Sequence, residues 1–264
     1  MAKIYRKPHR IKRKKPFYKN PFLLSFILIL IIFGFSFYLF YFAQFFQIKN
    51  IEIIGVKTIS TEDLQSALKE KIEKRIFSFP SKSIFLINSN KIESEFLQKF
   101  PKISKIEIKK KFPSTLIFNI QEREPVAIFL TDDKKFFVDS TGVIFEEAQS
   151  EDNFLKIRTS DVLSNIELGR KVITKELMAF ILDAKEKIQQ NFQLKIEEAF
   201  IVSEERVNLK TSEGWFLYLS SQNLDWQLRK LKTVLEKEIP KEKRNLLEYI
   251  DTRFGNLASY KFKE

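Results

Sequence analysis

The sequence predicts an α+β protein that carries a single membrane-spanning helix near its N-terminus. Three observations lead to this prediction. Residues 20–48 contain no charged side chain. Residues 47–123 follow the order strand, helix, helix, strand, strand, which is typical of a compact α+β unit. Residues 124–264 combine short alternating segments with two amphipathic helical segments, which predicts a second sheet with two helices.

The membrane-spanning segment is predicted at residues 22–46, which are almost wholly apolar. A helix rises about 1.5 Å per residue, so this segment is long enough to cross a hydrocarbon core of about 30 Å. A cleaved signal peptide is the alternative, but its apolar part is usually about 7–15 residues and ends at small residues. This segment ends in Ala43-Gln44-Phe45-Phe46. We therefore expect an uncleaved anchor.

Residues 1–21 form a basic tail that holds nine Lys and Arg residues and no acid, out of a net charge of +12. Basic flanks stay on the cytoplasmic side, so we expect the tail in the cytoplasm and residues 47–264 outside the plasma membrane. The tail could bind nucleic acid, but attraction to anionic membrane lipid is the favoured interpretation. The tail adjoins the membrane segment, and no nucleic-acid recognition motif accompanies it.

The first exterior domain is predicted at residues 47–123. Its predicted elements are strand 48–54, helix 61–75, loop 77–84, helix 90–100 ended by Pro101, strand 103–110 and strand 115–121. The last two segments alternate apolar and polar residues, which indicates half-buried strands. We expect two helices against one face of a three-stranded sheet. The free edge of strand 51–54 or of strand 115–121 could dock a second protein, and the sequence leaves open which one.

The second exterior domain is predicted at residues 124–264, as a mixed or antiparallel sheet with two helices. The predicted strands are 125–130, 135–139, 143–145, 195–202, 206–211 and 215–220, and the predicted helices are 174–191 and 223–239. The last segment, 246–262, reads as two strand pieces that Gly255 and Asn256 separate.

Composition excludes most catalytic chemistry outside the membrane. The chain has no cysteine, and its one histidine is His9 in the tail, so disulfides, thiolate catalysis and histidine-based triads or metal sites are excluded there. With six glycines, the chain has no Gly-rich phosphate loop. Adjacent acidic pairs do not form acid/base dyads, because neighbouring side chains diverge. A serine–lysine dyad stays open, although Ser81-Lys82-Ser83 reads as a polar loop. We predict no catalytic residue, metal ligand, cofactor or small-molecule substrate.

Three stretches carry a resemblance to a known family. After the membrane segment comes "FQIKNIEIIGVKTIS" at 46–60, then "FPKISKIEIKKKFPSTLIFNIQEREPVA" at 100–127, and finally "YIDTRFGN" at 249–256. This pattern resembles the FtsQ/DivIB family of bacterial cell-division proteins, with Thr252 in place of the usual leucine. The resemblance implies that residues 47–123 form a POTRA domain, a module used for docking polypeptides.

The resemblance also implies a function. It implies a non-enzymatic scaffold at the division septum that recruits FtsB/DivIC-like and FtsL-like proteins and other divisome components. A partner segment would add a strand to the closing strand of the second domain. The residues expected to contact the partner are Phe254, Asn256, Leu257, Ala258, Ser259, Tyr260 and Phe262. The alternative is that these residues only cover the sheet.

Arg123, Glu124 and Pro125 lie at the predicted domain junction, where they either fix the angle between the modules or form a solvated turn. The sequence leaves two other functions to consider. A POTRA-type polypeptide-transport or membrane-assembly protein is expected to have a cleaved signal peptide and a transmembrane barrel. A membrane-bound wall enzyme is disfavoured because histidine and cysteine are missing from the exterior part.

Overall fold

The computed structural model describes residues 20–76, 79–149, 153–160 and 166–264. The predicted basic tail, apart from Asn20 and Pro21, lies outside these residues. The chain forms two compact units. The first comprises the described residues of 1–53, 61–89 and 108–118, and the second comprises those of 54–60, 90–107 and 119–264.

The apolar segment forms helix α1 (Pro21–Phe42). With 22 residues, this helix is long enough and apolar enough to cross a membrane. Its N-terminus is capped by Asn20, whose side chain accepts a hydrogen bond from the Phe22 N–H at 3.1 Å. Proline at the first helical position suits this start, because its missing N–H has no helical partner there. The helix ends at Phe42, four residues before the predicted end, and a short 3-10 turn follows at Gln44–Phe46.

Strand β1 (Asn50–Ile54) and helix α2 (Thr61–Ile72) follow. The buried stripe of α2 recurs at helical spacing and consists of Leu64, Ala67, Leu68 and Ile72. The helix stops before the predicted residue 75, so that part of the prediction is wrong. The chain instead enters a two-stranded hairpin of β2 (Lys74–Ile76) and β3 (Phe79–Ser81), which pair antiparallel.

Helix α3 (Ser89–Lys99) and strands β4 (Ile103–Lys111) and β5 (Thr115–Glu122) complete the predicted POTRA order. The three-stranded sheet has the order β1-β5-β4. Strand β5 is therefore central, and the expectation that strand 115–121 offers a free edge is wrong. The outer strands of this sheet, among the described residues, are β1 and β4.

The remaining chain forms a nine-stranded sheet in the order β14-β13-β12-β11-β10-β9-β6-β7-β8. Its strands are β6 (Ala127–Leu130), β7 (Lys135–Val138), β8 (Ile144–Glu147), β9 (Leu155–Thr159), β10 (Ile196–Ser203), β11 (Arg206–Thr211), β12 (Phe216–Ser220), β13 (Leu247–Asp251) and β14 (Ser259–Phe262). Strand β9 runs parallel to β6 and β10, and β12 runs parallel to β13. The other pairs are antiparallel, so the prediction of a mixed sheet is confirmed.

Strand β9 is the one strand of this sheet that the sequence analysis did not predict. Its pattern alternates, with Leu155 and Ile157 buried beside the more exposed Lys156 and Arg158. The signal was present but short.

Helices α4 (Lys175–Phe192) and α5 (Leu224–Lys237) supply the other half of the core. Thr174 caps α4 by accepting a hydrogen bond from the Leu177 N–H. Buried side chains from both helices pack in one cluster with the inward residues of the sheet and with the fully buried Trp215, which directly precedes β12. Apolar burial of this extent is the main stabilising term of such a domain.

Candidate partner-binding site

Strand β14 is the outermost strand of the nine-stranded sheet. It pairs antiparallel with β13, with Asp251 opposite Ser259 and Ile250 opposite Tyr260. Within the ranges that the structure describes, no strand pairs with the other edge of β14. An edge of this kind presents main-chain N–H and C=O groups that a further strand can pair with.

The side chains of β14 alternate between the two faces of the sheet. Tyr260 lies opposite Ile250, which is fully buried, and Phe262 lies opposite Leu247, so both aromatic residues share the face of the core. Their rings contact edge to face with centroids 5.7 Å apart, yet Tyr260 and Phe262 remain 38% and 37% exposed. Ser259 lies on the opposite face. The edge therefore offers apolar area on one face, and Ser259 and the charged Lys261 on the other.

The loop from 252 to 258 connects β13 to β14, and Asp251 fixes its start. The Asp251 carboxylate accepts hydrogen bonds from the Arg253 main-chain N–H at 3.1 Å, from its Nε at 2.9 Å and from its Nη2 at 2.6 Å. Burial opposes ionisation, but these bonds hold the pKa of Asp251 below its usual range. Thr252 is fully buried and donates to the Tyr218 carbonyl through both its N–H and its hydroxyl.

Helix α5 fixes the middle of the same loop. The Lys230 ammonium donates to the carbonyls of Phe254 and Gly255 at 3.2 and 3.1 Å, and the Trp226 indole donates to the Gly255 carbonyl at 3.3 Å. Lys230 is 7% exposed, and burial lowers its pKa while Asp251 partly opposes this shift. The sequence analysis did not select Trp226 or Lys230. Their i, i+4 spacing, which places both on one face of α5, was the available signal.

The predicted contact residues form one continuous, mostly exposed segment. Phe254 and Leu257 are 68% and 81% exposed, and the neighbouring Trp226 is 41% exposed. Asn256 is also exposed, whereas Ala258 is half-buried against the core. The structure thus places large apolar side chains beside the open edge of β14. Their contact with a partner stays a prediction.

Aromatic and arginine side chains also stack on the sheet beside the edge. Tyr218 and Tyr249 are parallel with centroids 4.8 Å apart, and the guanidinium groups of Arg206 and Arg253 lie over the Tyr218 ring at 5.1 and 5.7 Å. Such cation–π contacts restrict the side chains involved. The sequence analysis did not predict this stack, because it joins residues from three strands.

Of the three predicted junction residues, Arg123 is well packed. Its Nη1 donates to the Asp139 carboxylate at 2.5 Å and its Nε donates to the Pro101 carbonyl at 3.0 Å, with side-chain exposures of 15% for Arg123 and 6% for Asp139. Glu124 is exposed and pairs with Lys57 at 2.9 Å, and Pro125 is also exposed. The Arg123 side chain is thus largely shielded from solvent, whereas its two neighbours are accessible to solvent.

Asp139 has a second set of partners in the turn that follows β7. One carboxylate oxygen accepts hydrogen bonds from the Thr141 N–H and hydroxyl and from the Val143 N–H. Burial opposes ionisation, but these donors and Arg123 keep the pKa of Asp139 below its usual range. The turn also needs Gly142, since its φ is +81° and a Cβ would lie 2.0 Å from the Ile173 carbonyl oxygen.

Glu122, directly before the predicted junction, was not selected as a site residue. Its carboxylate accepts hydrogen bonds from the main-chain N–H groups of Lys57, Thr58 and Ile59 and from the Thr58 hydroxyl. Burial opposes ionisation, but these four donors lower the pKa of Glu122 to about 2. The carboxylate therefore closes the segment between β1 and α2 onto the end of β5.

The fold and the edge define a class of protein: an apolar anchor helix followed by a POTRA-like α+β unit and a mixed-sheet domain whose outermost described strand, β14, has one open edge. Comparison with known families agrees with this class. The model of the FtsQ-type POTRA domain matches residues 46–123, and the model of the FtsQ/DivIB C-terminal domain matches residues 127–253. The chain belongs to the FtsQ/DivIB family of cell-division proteins.

Individual relatives agree with this assignment. The chain is 26% identical over 189 residues to the cell division protein DivIB of Clostridium tetani, covering 69% of each chain. It is 25% identical over 174 residues to the cell division protein FtsQ of Novosphingobium aromaticivorans, covering 66% of this chain and 48% of that protein. A DivIB of Clostridium acetobutylicum is 27% identical over 129 residues, 48% of each chain. The matches thus span about half of the second and third relatives.

The anchor helix and the family together indicate a membrane-anchored cell-division protein. Among the described residues, no group of three histidine, aspartate or glutamate side chains is arranged to hold a metal ion. The recognition of the family and the α+β fold class predicted from the sequence are both confirmed.

Proposed function

We propose that the chain is a membrane-anchored scaffold that gathers FtsB/DivIC-like and FtsL-like proteins, with other divisome components, at the division septum. The observation that carries this proposal is the open edge of β14, bordered by exposed apolar side chains. Exposed edges and contiguous apolar patches are unfavourable in an isolated protein, and they are common where a partner binds.

The proposed topology follows the charge pattern. Residues 1–21 lie in the cytoplasm, near anionic lipid of the plasma membrane, and residues 22–46 span it. The POTRA domain, 47–123, and the β domain, 124–264, lie outside. This arrangement presents both modules to proteins that act in cell-wall synthesis, and no catalytic step is assigned to either.

The proposed binding mode is addition of a partner strand to β14. The Lys263 N–H donates to the Leu246 carbonyl at 2.7 Å, toward β13. Because main-chain groups alternate along a strand, the N–H and C=O groups of Tyr260 and Phe262 are directed to the open edge. A partner strand would pair with these groups for affinity, while its alternate side chains would determine specificity.

The side chains at the edge define the partner's chemistry. Apolar residues of the partner would lie over Tyr260 and Phe262 and continue onto Phe254 and Leu257. An acidic residue would suit Lys261, which pairs with the exposed Glu248 at 2.7 Å in the free chain. Asn256, Ala258 and Ser259 complete the proposed contact segment, where small side chains allow close approach.

For the junction, we propose that Arg123, with Glu124 and Pro125, fixes how the chain leaves β5 for β6. The support is the buried pair of Arg123 with Asp139 and the bond from Arg123 to the Pro101 carbonyl. Breaking a buried charge pair leaves one charge uncompensated, which costs free energy. The pair therefore holds this connection in one conformation.

The binding proposal can be tested with the full chain in nanodiscs and a coexpressed FtsB/DivIC-like and FtsL-like pair. Tyr260→Ala is expected to weaken binding by about 2 kcal/mol, roughly thirtyfold in Kd, as for aromatic interface anchors. Tyr260→Pro is expected to weaken it further, because it also removes an outward N–H. Phe262→Ala should resemble Tyr260→Ala.

Leu168→Ala, at a 43% exposed leucine remote in sequence from the edge, is the control and should leave Kd unchanged. Equal affinity for all four variants and the parent chain would refute the proposed edge. Failure to bind this pair at all, together with binding of unfolded polypeptide, would instead favour the transport alternative.

A further inference from the structure

The C-terminus of α1 is held by side chains of the first unit. The Ser83 hydroxyl donates to the Phe40 carbonyl at 2.6 Å, and the Ser81 hydroxyl donates to the Tyr41 carbonyl at 2.5 Å. The Gln47 side chain donates to the same Tyr41 carbonyl at 3.0 Å. The last carbonyls of a helix lack helical partners, so these three donors satisfy groups that water would otherwise bind. Ser81 and Ser83 are 2% and 0% exposed.

A chain of aromatic rings starts at the same helical end. Phe85 contacts Phe40 of α1 with ring centroids 5.1 Å apart, and it contacts Phe112, in the turn between β4 and β5, at 5.3 Å. Phe46 packs on Phe85 at 5.2 Å. Phe112 remains 55% exposed and Phe85 38% exposed. Large apolar side chains thus reach solvent directly beside the end of the membrane helix.

In the membrane-spanning role proposed for α1, the length of the helix brings Phe40 and Phe85 to the exterior surface of the membrane. Its 22 residues give about 33 Å of helix, against a hydrocarbon core of about 30 Å. The last turn, with Phe40, therefore lies where hydrocarbon meets headgroups. Phe112 is two ring contacts from Phe40, so its exposed ring lies close to the helix end that this role of α1 brings to the membrane surface.

Three lysines lie near Phe112 in the chain or beside its turn. Lys110 and Lys111 precede it, and the Lys110 ammonium also donates to the Ile87 carbonyl at 2.7 Å. The Lys49 N–H donates to the Ser114 carbonyl at 2.9 Å, so Lys49 adjoins the same turn, and its side chain is exposed. Apolar rings beside lysines are the combination that binds anionic lipid surfaces.

We propose that the first unit docks on the membrane through an interfacial face, defined as Phe85, Phe112, Lys49, Lys110 and Lys111. Its ligand is the anionic phospholipid headgroup region of the bilayer that α1 crosses. The proposal rests on the membrane-spanning role proposed for α1. Because Ser81, Ser83 and Gln47 fix this unit to the helix end, docking sets the unit's orientation on the membrane.

The absence of cysteine permits single-site spin labelling of the full chain in nanodiscs. Ser114→Cys places a label at the interfacial face, where the described contact of Ser114 uses its main-chain carbonyl alone. Glu204→Cys, in the exposed turn after β10, is the water-accessible control, and Ile31→Cys in α1 is the depth control. The readout is collision with oxygen relative to a water-soluble nickel chelate.

In nanodiscs containing phosphatidylglycerol, the Ser114 label should show a collision ratio several-fold above the Glu204 label. Replacing phosphatidylglycerol by phosphatidylcholine should lower that ratio. Lys110→Gln and Lys111→Gln should each lower the equilibrium constant for docking about fivefold. This is the value expected for one lysine near an anionic surface. Phe112→Ser should weaken it further while the Ile31 label stays deep.

A Ser114 label as water-accessible as the Glu204 label in both lipids would overturn the docking proposal. An Ile31 label accessible to the nickel chelate would instead refute the spanning role of α1, so the two failures are distinct. If Phe112→Ser does not fold, the comparison of the two lipids on the otherwise unsubstituted labelled chain still decides the proposal.

Discussion

At the scale of single residues, the Glu122 carboxylate holds the main chain between β1 and α2 in place. Four donors from three consecutive residues, Lys57 to Ile59, converge on its carboxylate, and its pKa is about 2. The nearby Gly55 supports this closure, because its φ is +91° and a Cβ would lie 2.1 Å from the Ile120 carbonyl oxygen. The charge of Glu122 and the positive φ that Gly55 can adopt together determine the conformation of the segment between β1 and α2.

The low pKa of Glu122 predicts acid sensitivity. The folded pKa is below the reference value of 4.5, so the ionised carboxylate contributes fully above about pH 4.5. Its contribution is lost as the pH falls toward about 2. We expect Glu122→Gln to destabilise the chain by about 1 kcal/mol at pH 7 and to flatten the loss of stability over this range.

Urea titrations of the full chain, followed by tryptophan fluorescence between pH 2 and 7, measure this effect. Glu124→Gln is the matched control, because Glu124 is exposed and its pair with Lys57 is solvated. An identical pH dependence for Glu122→Gln and the parent chain would contradict the assignment.

At the scale of elements, α5 determines the shape of the proposed site. The helix packs its leucines into the core, while Trp226 and Lys230 reach the carbonyls of the loop before β14. The buried Lys230 ammonium donates its hydrogen bonds to main-chain carbonyls rather than to a carboxylate. The loop is therefore held from the helix as well as from Asp251 at its start.

Lys230→Met keeps the length of this side chain but removes its donors. We expect faster hydrogen exchange in residues 252–258 and about tenfold weaker partner binding, because bonds to a charged donor contribute about 1.5–3 kcal/mol. Hydrogen-exchange mass spectrometry and the nanodisc binding assay measure the two effects. Lys232→Met, at a 64% exposed lysine of the same helix, should change neither.

At the scale of the whole molecule, charge asymmetry is the basis of the proposed orientation of the chain in the membrane. The basic tail precedes a charge-free helix, and residues 47–264 carry only a small excess of positive charge. In membrane proteins with this charge pattern, the basic flank usually stays on the cytoplasmic side. Every proposed contact with a division partner depends on this orientation.

An N-terminal tag should therefore be protected when intact spheroplasts are treated with protease, while the exterior part is digested. Replacing Lys12, Arg13, Lys14 and Lys15 by glutamine should expose the tag in a fraction of molecules. Protease accessibility of the tag, read by immunoblot, measures this. Full protection of the tag after these substitutions would show that the tail does not set orientation.

What the sequence by itself determined was local. An uncharged run predicted the anchor, period-two alternation located β4 and β5, and apolar stripes located α4 and α5, because each signal depends on neighbours within a few residues. Tertiary structure alone decided that β5 is the central strand of its sheet. It also placed β9 between β6 and β10 and brought Lys230 to the loop before β14. These features depend on pairing and packing between residues distant in sequence, which no local pattern encodes.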